Sequence, residues 1–274
     1  MHASRLFSSL PILLLTLLLA ACSNSDKNDS ASRIAHAREL ISGNRLNAAK
    51  IELDSIDLLY PRQVEARRES HHLKDTIALL EAKRTLSYSD SVLEVLSQRS
   101  DSVIALFRYE KDQRYQSEGN YIHPALLPQN NPQRCYLQAQ VSDRLKLTFR
   151  SHYYGSRALR HTLIRLEADS LYLNLHGSCH SFEADGKHEI TTVSHNECLE
   201  ALKFIATGSE SKLTVRLEGT GKPFTYVLSE RDKKALARTL ELYFLLTDIN
   251  KLEQTCLKAD KQIQFYSRAL SDKQ

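Results

Sequence analysis

Residues 242–270 read LYFLLTDINKLEQTCLKADKQIQFYSRAL. Leu242, Ile249, Cys256, Ile263 and Leu270 recur at every seventh position, and Leu245, Leu252, Ala259 and Tyr266 fill the second position of the same seam. Two apolar positions per heptad, sustained over four heptads, are the a/d repeat of a coiled coil. Such a helix needs a start signal. Ser229 with Asp232 supplies one, a cap hydroxyl followed by a carboxylate in the first turn. The closing segment 229–274 is therefore expected to be one long helix whose seam requires a partner.

The partner within the chain lies after Pro61, where no Gly or Pro occurs until Gly119. Val64, Leu73, Ile77 and Leu80, then Val92, Leu96, Val103 and Leu106, recur at helical spacing, with a weaker stretch from Arg84 to Asp90. The expectation is one helix, or two with a bend near Ser87-Tyr88-Ser89. Unbroken over about 50 residues, it would reach roughly 75 Å. Two long helices flanking one intervening region suggest an antiparallel stalk carrying a head. Pairing between two chains is the competing use of the seam, so both a monomer and a coiled-coil dimer stay open.

Between the helices the texture changes. His123-Pro124, Leu127-Pro128 and Asn131-Pro132 break any helix, so 119–133 reads as a Pro-rich linker. Alternating segments then run Cys135 to Val141, Leu145 to Arg150, Thr162 to Ala168, Leu171 to Leu175, His188 to Val193, Leu213 to Glu218 and Pro223 to Leu228. Asn196 to Ala206 interrupts them with helical spacing through Leu199, Leu202 and Ile205. The region 134–228 is expected to be a mainly antiparallel β head, a sheet or a small sandwich, with one short helix. The fold class is α+β.

The N-terminal part holds a helical hairpin and a leader. From Arg33 to Tyr60 two amphipathic segments flank Gly43-Asn44, and Pro61 ends the second. Ala37, Leu40, Leu46, Ala49, Leu53, Ile56 and Pro61 fall at the spacing of small, large and terminating residues that resembles one tetratricopeptide unit. A lone unit cannot bury its apolar face, which makes it a packing hairpin that opens the segment 33–118. Further upstream, Arg5 precedes an apolar run from Leu10 to Leu19, broken by Pro11 and Thr16, and then Leu19-Ala20-Ala21-Cys22. That order is a secretory signal over residues 1–21, and its last four residues resemble a bacterial lipobox. The resemblance implies that Cys22 is acylated on sulfur and becomes the mature N-terminus. It also implies, through Ser23 in place of an Asp, the outer membrane, with a periplasmic or surface-facing orientation left open. The uncharged run from Leu6 to Cys22 falls short of the roughly 20 apolar residues a spanning helix needs. The polar segment 22–32, SNSDKNDSAS after the lipidated cysteine, is expected as a disordered tether.

Composition limits the functions available. A formal net charge of +4, reduced to +3 with Arg5 removed, is too weak to argue for nucleic acid. Five cysteines become four once Cys22 is assigned to lipid, and Cys179 with Cys198 is the most local pairing where disulfides persist. His176, Cys179 and His180 offer zinc-ligand chemistry, but adjacent strand residues face opposite ways and the spacing matches no zinc module. Surface histidines with a disulfide or buried thiols are the plainer explanation, and no metal or other cofactor is expected. Between Arg134 and Arg165 seven basic residues face one acidic residue, Asp143. Arg144, Lys146, Arg150, Arg157, Arg160 and Arg165 could therefore form a surface for phosphate or carboxylate partners, or a solvated outer face balanced elsewhere. No nucleophile elbow, phosphate loop or metalloprotease helix is present, and Gly219-Thr220-Gly221-Lys222-Pro223 reads as a hairpin turn. The expectation is a non-enzymatic envelope lipoprotein whose head binds a protein partner or scaffolds an assembly. The alternative is a ligand-binding or hydrolytic head acting on envelope glycans or lipids.

Overall fold

A computed structural model describes residues 10–272 apart from Tyr115 and Ser209, with side chains from Asp26 onward. The start of the signal and the Cys22 side chain thus lie outside the described residues. The fold is α+β, and the chain divides into two compact units. One comprises the chain up to Asp90 together with the segment from Gln254 on; the other is Ser91–Glu253.

The first unit is helical. Helix α1 (Leu10–Ser42) and α2 (Leu46–Leu59) form the expected hairpin. The turn is closed by Asn44 rather than Gly43: Asn44 takes φ 63°, Arg45 N–H bonds Leu40 O at 2.8 Å, and Asn44 N–H bonds Ile41 O at 3.0 Å. These two bonds satisfy the last carbonyls of α1 as a Schellman motif does, with Asn tolerating the left-handed position. All six tetratricopeptide-like apolar positions are buried, and Ala37 and Ala49 are sealed completely. Leu73 and Ile77 of α3 (Val64–Ile104) cover the face that the hairpin cannot bury alone. Near the end of the unit, Cys256 of α5 (Glu230–Ser271) meets Asp90 of α3 at 3.3 Å, and Ala82 and Ala259 are buried small residues.

The segment expected to be a disordered tether is helical. Residues 23–32 lie within α1, and Ser30 Oγ donates to Lys27 O at 3.0 Å. They contain neither Gly nor Pro, so the amphipathic turns that follow can extend backward without a new nucleus. Among the described residues, no helix is long and apolar enough to cross a membrane. Helix α3 runs through Ser87-Tyr88-Ser89 without a break.

The second unit is built on nine antiparallel strands in the order β1-β2-β3-β4-β7-β6-β5-β8-β9. They are β1 (Arg108–Glu110), β2 (Asn120–Ile122), β3 (Tyr136–Ser142), β4 (Leu147–Gly155), β5 (Leu163–Ala168), β6 (Leu171–Glu183), β7 (Lys187–Val193), β8 (Leu213–Glu218) and β9 (Phe224–Val227). The order is continuous, so the sheet, not the sandwich, is the topology adopted. Strand β6 switches partners along its length: Leu171 to His176 pairs with β5, and Gly177 to Glu183 with β7. A Cβ on Gly177 would stand 2.5 Å from Thr192 O, so the crossing between neighbours needs glycine there. Helix α4 (His195–Thr207) buries Cys198, Ala201, Leu202 and Ile205 against the sheet, and α5 adds Ala235, Leu236 and Leu240 to the same core. Ser229 Oγ accepts from Asp232 N–H at 3.2 Å, as the start signal requires.

Two expected boundaries move. The stretch 119–133 is not a linker: it contains β2 and two single 3-10 turns, and Leu126 and Leu127 are core residues. The prolines open these turns by fixing φ where no N–H is needed. The helical stretch ends at Ile104, before β1, so 105–118 belongs with the sheet. The start of the heptad seam packs within the chain: in this unit Leu242 and Leu245 cluster with Val103 while Arg99 pairs with Glu241 at 2.7 Å.

Candidate functional site

The most unusual chemistry in the β unit is a charged group in its core. Glu189 sits on β7 in the same alternation as Thr191 and Val193, and all three are buried. Its carboxylate collects the loop between β4 and β5. Oε1 accepts from Leu159 N–H at 2.6 Å and Arg160 N–H at 2.7 Å, while Oε2 accepts from His161 N–H at 3.2 Å and lies 2.9 Å from His161 Nδ1. This set holds Arg160 at φ 50°, a left-handed conformation that costs a non-glycine residue about 1 kcal/mol. The loop in turn carries the β8–β9 hairpin. Thr220 N–H bonds Leu159 O at 3.0 Å, and a Cβ on Gly219 would come within 2.2 Å of the same oxygen.

Burial works against ionising Glu189, but the N–H groups and the His161 ring outweigh it and hold the carboxyl below its ordinary range. Burial also lowers His161 despite the neighbouring carboxylate, which leaves a neutral imidazole beside an anion. The other ring nitrogen of His161 lies 3.2 Å from Ser151 Oγ, so Ser151, His161 and Glu189 stand in the order of a hydrolytic triad. Ser151 and His161 are both fully buried, however, and a nucleophile that no substrate can reach does not act.

Cys179 of β6 completes the cluster, with Sγ 3.8 Å from Glu189 Oε2 and 3.8 Å from Ser181 Oγ. The expected disulfide is not formed. Cys135, Cys179, Cys198 and Cys256 are all free, and Cys198 points from α4 into the core, 3.4 Å from Ser194 O. A strand thiol aimed at Glu189 and a helix thiol sealed in the core do not face one another. Thiol titration of the denatured chain carrying Cys22→Ala is expected to find four reactive groups; two would contradict this arrangement.

The other sequence candidates are dispersed. His176 and His180 are exposed on β6, and His176 is engaged by Glu197 at 3.3 Å rather than by Cys179. Arg144 and Lys146 occupy the turn before β4, whereas Arg157 and Arg160 follow its far end, a strand length of roughly 27 Å away. Arg150 lies in the sheet, bonded to Gln138 and to Gln140 at 2.9 Å, and burial lowers its pKa. Arg165 pairs with Glu167 and covers the Tyr172 ring. The six residues are therefore not one surface, because alternation and strand order separate what the sequence lists together.

Among the described residues, two concavities of the β unit are lined by aromatic side chains. A groove of about 400 Å³ runs between the end of β4 and the β8–β9 turn; Tyr153, Tyr154, Arg157, Lys222 and Phe224 line it, and none of its lining residues is acidic. A smaller pocket of about 210 Å³ is lined by Arg134, Tyr136, His152, Phe182 and His188. In it the His152 ring stacks on Tyr136 at 4.3 Å, and the buried Tyr136 hydroxyl has no hydrogen-bond partner among the described residues. Burial, then Arg150, pushes His152 down to about 3. Sequence reasoning found Arg157 but missed Ser151, His161 and Glu189. The available signal was a carboxylate in register with Thr191 and Val193 on a strand.

No protein family, curated protein or solved structure matches this chain. Fold and site define it as an α+β protein whose nine-stranded sheet encloses a histidine–carboxylate–thiol cluster and opens one basic, aromatic groove.

Proposed function

We propose that this protein is anchored to a bacterial envelope membrane through lipid on Cys22, as the lipobox resemblance implies, and that its β unit binds an anionic protein partner without catalysing a reaction. The outer membrane is the location that Ser23 favours, facing the periplasm or the cell surface. One observation carries the partner reading: Arg157 and Lys222 share a groove with Tyr153, Tyr154 and Phe224 and with no carboxylate. Arginine forks and aromatic faces are what bind carboxylate-bearing peptide segments in clefts. The walls of the groove are also tied to buried Glu189 through Leu159 and Thr220. The sealed Ser151 supports the non-enzymatic reading. Nucleic acid has no place in it, given the net charge of +4. Crosslinking in intact cells tests it: the reading expects an adduct at the groove that depends on Arg157 and Lys222.

A second reading, a head that takes a small glycan or lipid headgroup, is favoured by the 210 Å³ pocket. The unpartnered Tyr136 hydroxyl lies buried behind its lining, and Phe182 stacks on His188 with centroids 4.9 Å apart. Aromatic faces with a few fixed polar groups suit a sugar ring. A shift in Tyr136 resonances on adding envelope oligosaccharide, in place of any groove adduct, would favour this alternative.

A further inference from the structure

The geometry points to a divalent transition-metal site of the zinc type, formed by His161 Nδ1, Glu189 Oε2 and Cys179 Sγ. These atoms come from the β4–β5 loop, β7 and β6, and all lie within 4.8 Å of one another. The nitrogen–oxygen separation is 2.9 Å and the sulfur–oxygen separation 3.8 Å. Bond lengths of about 2.0 Å to nitrogen and oxygen and about 2.3 Å to sulfur give tetrahedral edges of roughly 3.3 and 3.5 Å. The two edges at the carboxylate thus differ from a metal's by a few tenths of an ångström, and the third, sulfur to nitrogen, lies within 4.8 Å, so that half-exposed Cys179 closes the set by swinging its sulfur inward by at most about 1 Å.

The charges favour the same occupant. Among the described residues no lysine or arginine pairs with Glu189, so its buried carboxylate faces the His161 ring, the Cys179 thiol and backbone N–H groups. A divalent cation bound to one carboxylate, one thiolate and one neutral imidazole is locally balanced. A sulfur and a nitrogen in the set select zinc and its neighbours over magnesium or calcium, which prefer oxygen. Each ligand is also held from behind. Ser151 Oγ lies 3.2 Å from His161 Nε2, and Leu159 and Arg160 N–H groups hold the second carboxylate oxygen. Such supports orient ligands and fix the tautomer. Cys179 is the half-exposed member, so the ion enters from its side and the fourth position faces Ser181 and solvent.

Binding is a proton exchange without redox. The hydrogen on Nδ1 that now points at Glu189 is released while Nε2 takes one up to donate to Ser151, and the Cys179 thiol gives its proton to solvent. One proton leaves per metal bound.

The test uses the full-length acyl-free chain without a histidine tag, stripped with chelator and then titrated with zinc or cobalt(II). The expected results are one zinc equivalent per chain, protection of Cys179 from alkylation, and a thiolate-to-cobalt charge-transfer absorption. His161 and Glu189 are buried, and their variants risk unfolding, so the decisive variant is Cys179→Ala, which removes a half-exposed atom. It is expected to keep the chelated protein's melting temperature while weakening zinc binding by more than about 100-fold, beyond what loss of a supporting residue costs. Failure of the wild-type chain to retain stoichiometric zinc, or equal retention by Cys179→Ala, would overturn the site.

Discussion

Replacing Glu189 by alanine is expected to destabilise the β unit by about 3–5 kcal/mol, because several buried N–H donors lose their acceptor together at about 1–3 kcal/mol each. The substitution strips acceptors from three backbone N–H groups and from His161. It also frees Arg160 to leave its left-handed conformation, which uncouples the β8–β9 hairpin from the loop. Glu189→Gln keeps one carbonyl acceptor and should cost less, about 1–3 kcal/mol. Urea unfolding followed by circular dichroism in the presence of chelator measures this, because the chain has no Trp to report and bound metal would mask the effect. Glu183→Ala, at an exposed carboxylate, is the control and should stay within about 0.5 kcal/mol of wild type. A Glu189→Ala loss no larger than that of the control would remove Glu189 as the organiser of this end of the sheet.

Acid should weaken the same unit well before its carboxylates titrate. His152 is held at about 3 by burial and Arg150, against an ordinary 6.5, and burial lowers His161 as well. The sign follows from proton uptake. Between the folded and unfolded pKa values the unfolded chain binds the additional proton, so stability is full above about 6.5 and falls as pH drops toward about 3. Glu189 is depressed from 4.5, and its contribution is lost only below that value, so the window from about 6.5 to about 4.5 belongs to the histidines. His152 should remove roughly 2 kcal/mol across it, at 1.36 kcal/mol per pH unit once protonation of the unfolded form is complete, and His161 adds a loss of the same sign. Urea midpoints taken from about pH 7 to about pH 5 should fall for the wild type and fall less for His152→Gln. A flat wild-type profile would mean that neither ring is held neutral by the fold.

Much of this architecture is legible from periodicity. The seam positions Leu242, Leu245 and Ala259 are buried and the rest are half-buried, because a heptad repeat leaves a helix one way to bury its apolar stripe. Seven strands and α4 fall where alternation and helical spacing put them, with β4 and β6 running on past their expected ends. What escaped has local causes. Strands β1 and β2 are three residues each, too short to show a period, and β2 abuts the prolines that read as a linker. The second half of β6 was lost after Leu175, because Gly177 and a mixed polar run hide its alternation. The tether carried no apolar pattern of its own, yet nothing in it stops a neighbouring helix from extending.

The candidate site was less legible because its parts meet only through the sheet. Cys179 drew attention for the histidines beside it in sequence, while its true neighbours are Glu189 across the β6–β7 pairing and His161 on a distant loop. Adjacent strand residues diverge, so His176 and His180 could not join it. The basic run failed for the same reason: Arg150 faces a glutamine-lined part of the sheet, and Arg144 and Arg157 stand at opposite ends of one strand. Only when Lys222 arrives on the β8–β9 hairpin does Arg157 gain a basic companion.

The central claim is that an envelope-anchored chain presents this groove to an anionic partner. The direct measurement is site-specific photo-crosslinking in intact cells, with the reactive residue replacing exposed Ser156 at the groove rim and, as control, Glu200 on α4. One discrete adduct is expected from position 156 in the membrane fraction. The adduct should be absent from position 200 and lost on combining Arg157→Glu with Lys222→Glu, and Cys22→Ala should release the chain from the membrane. An adduct of equal yield from both positions, or one that survives the charge reversal, would contradict it.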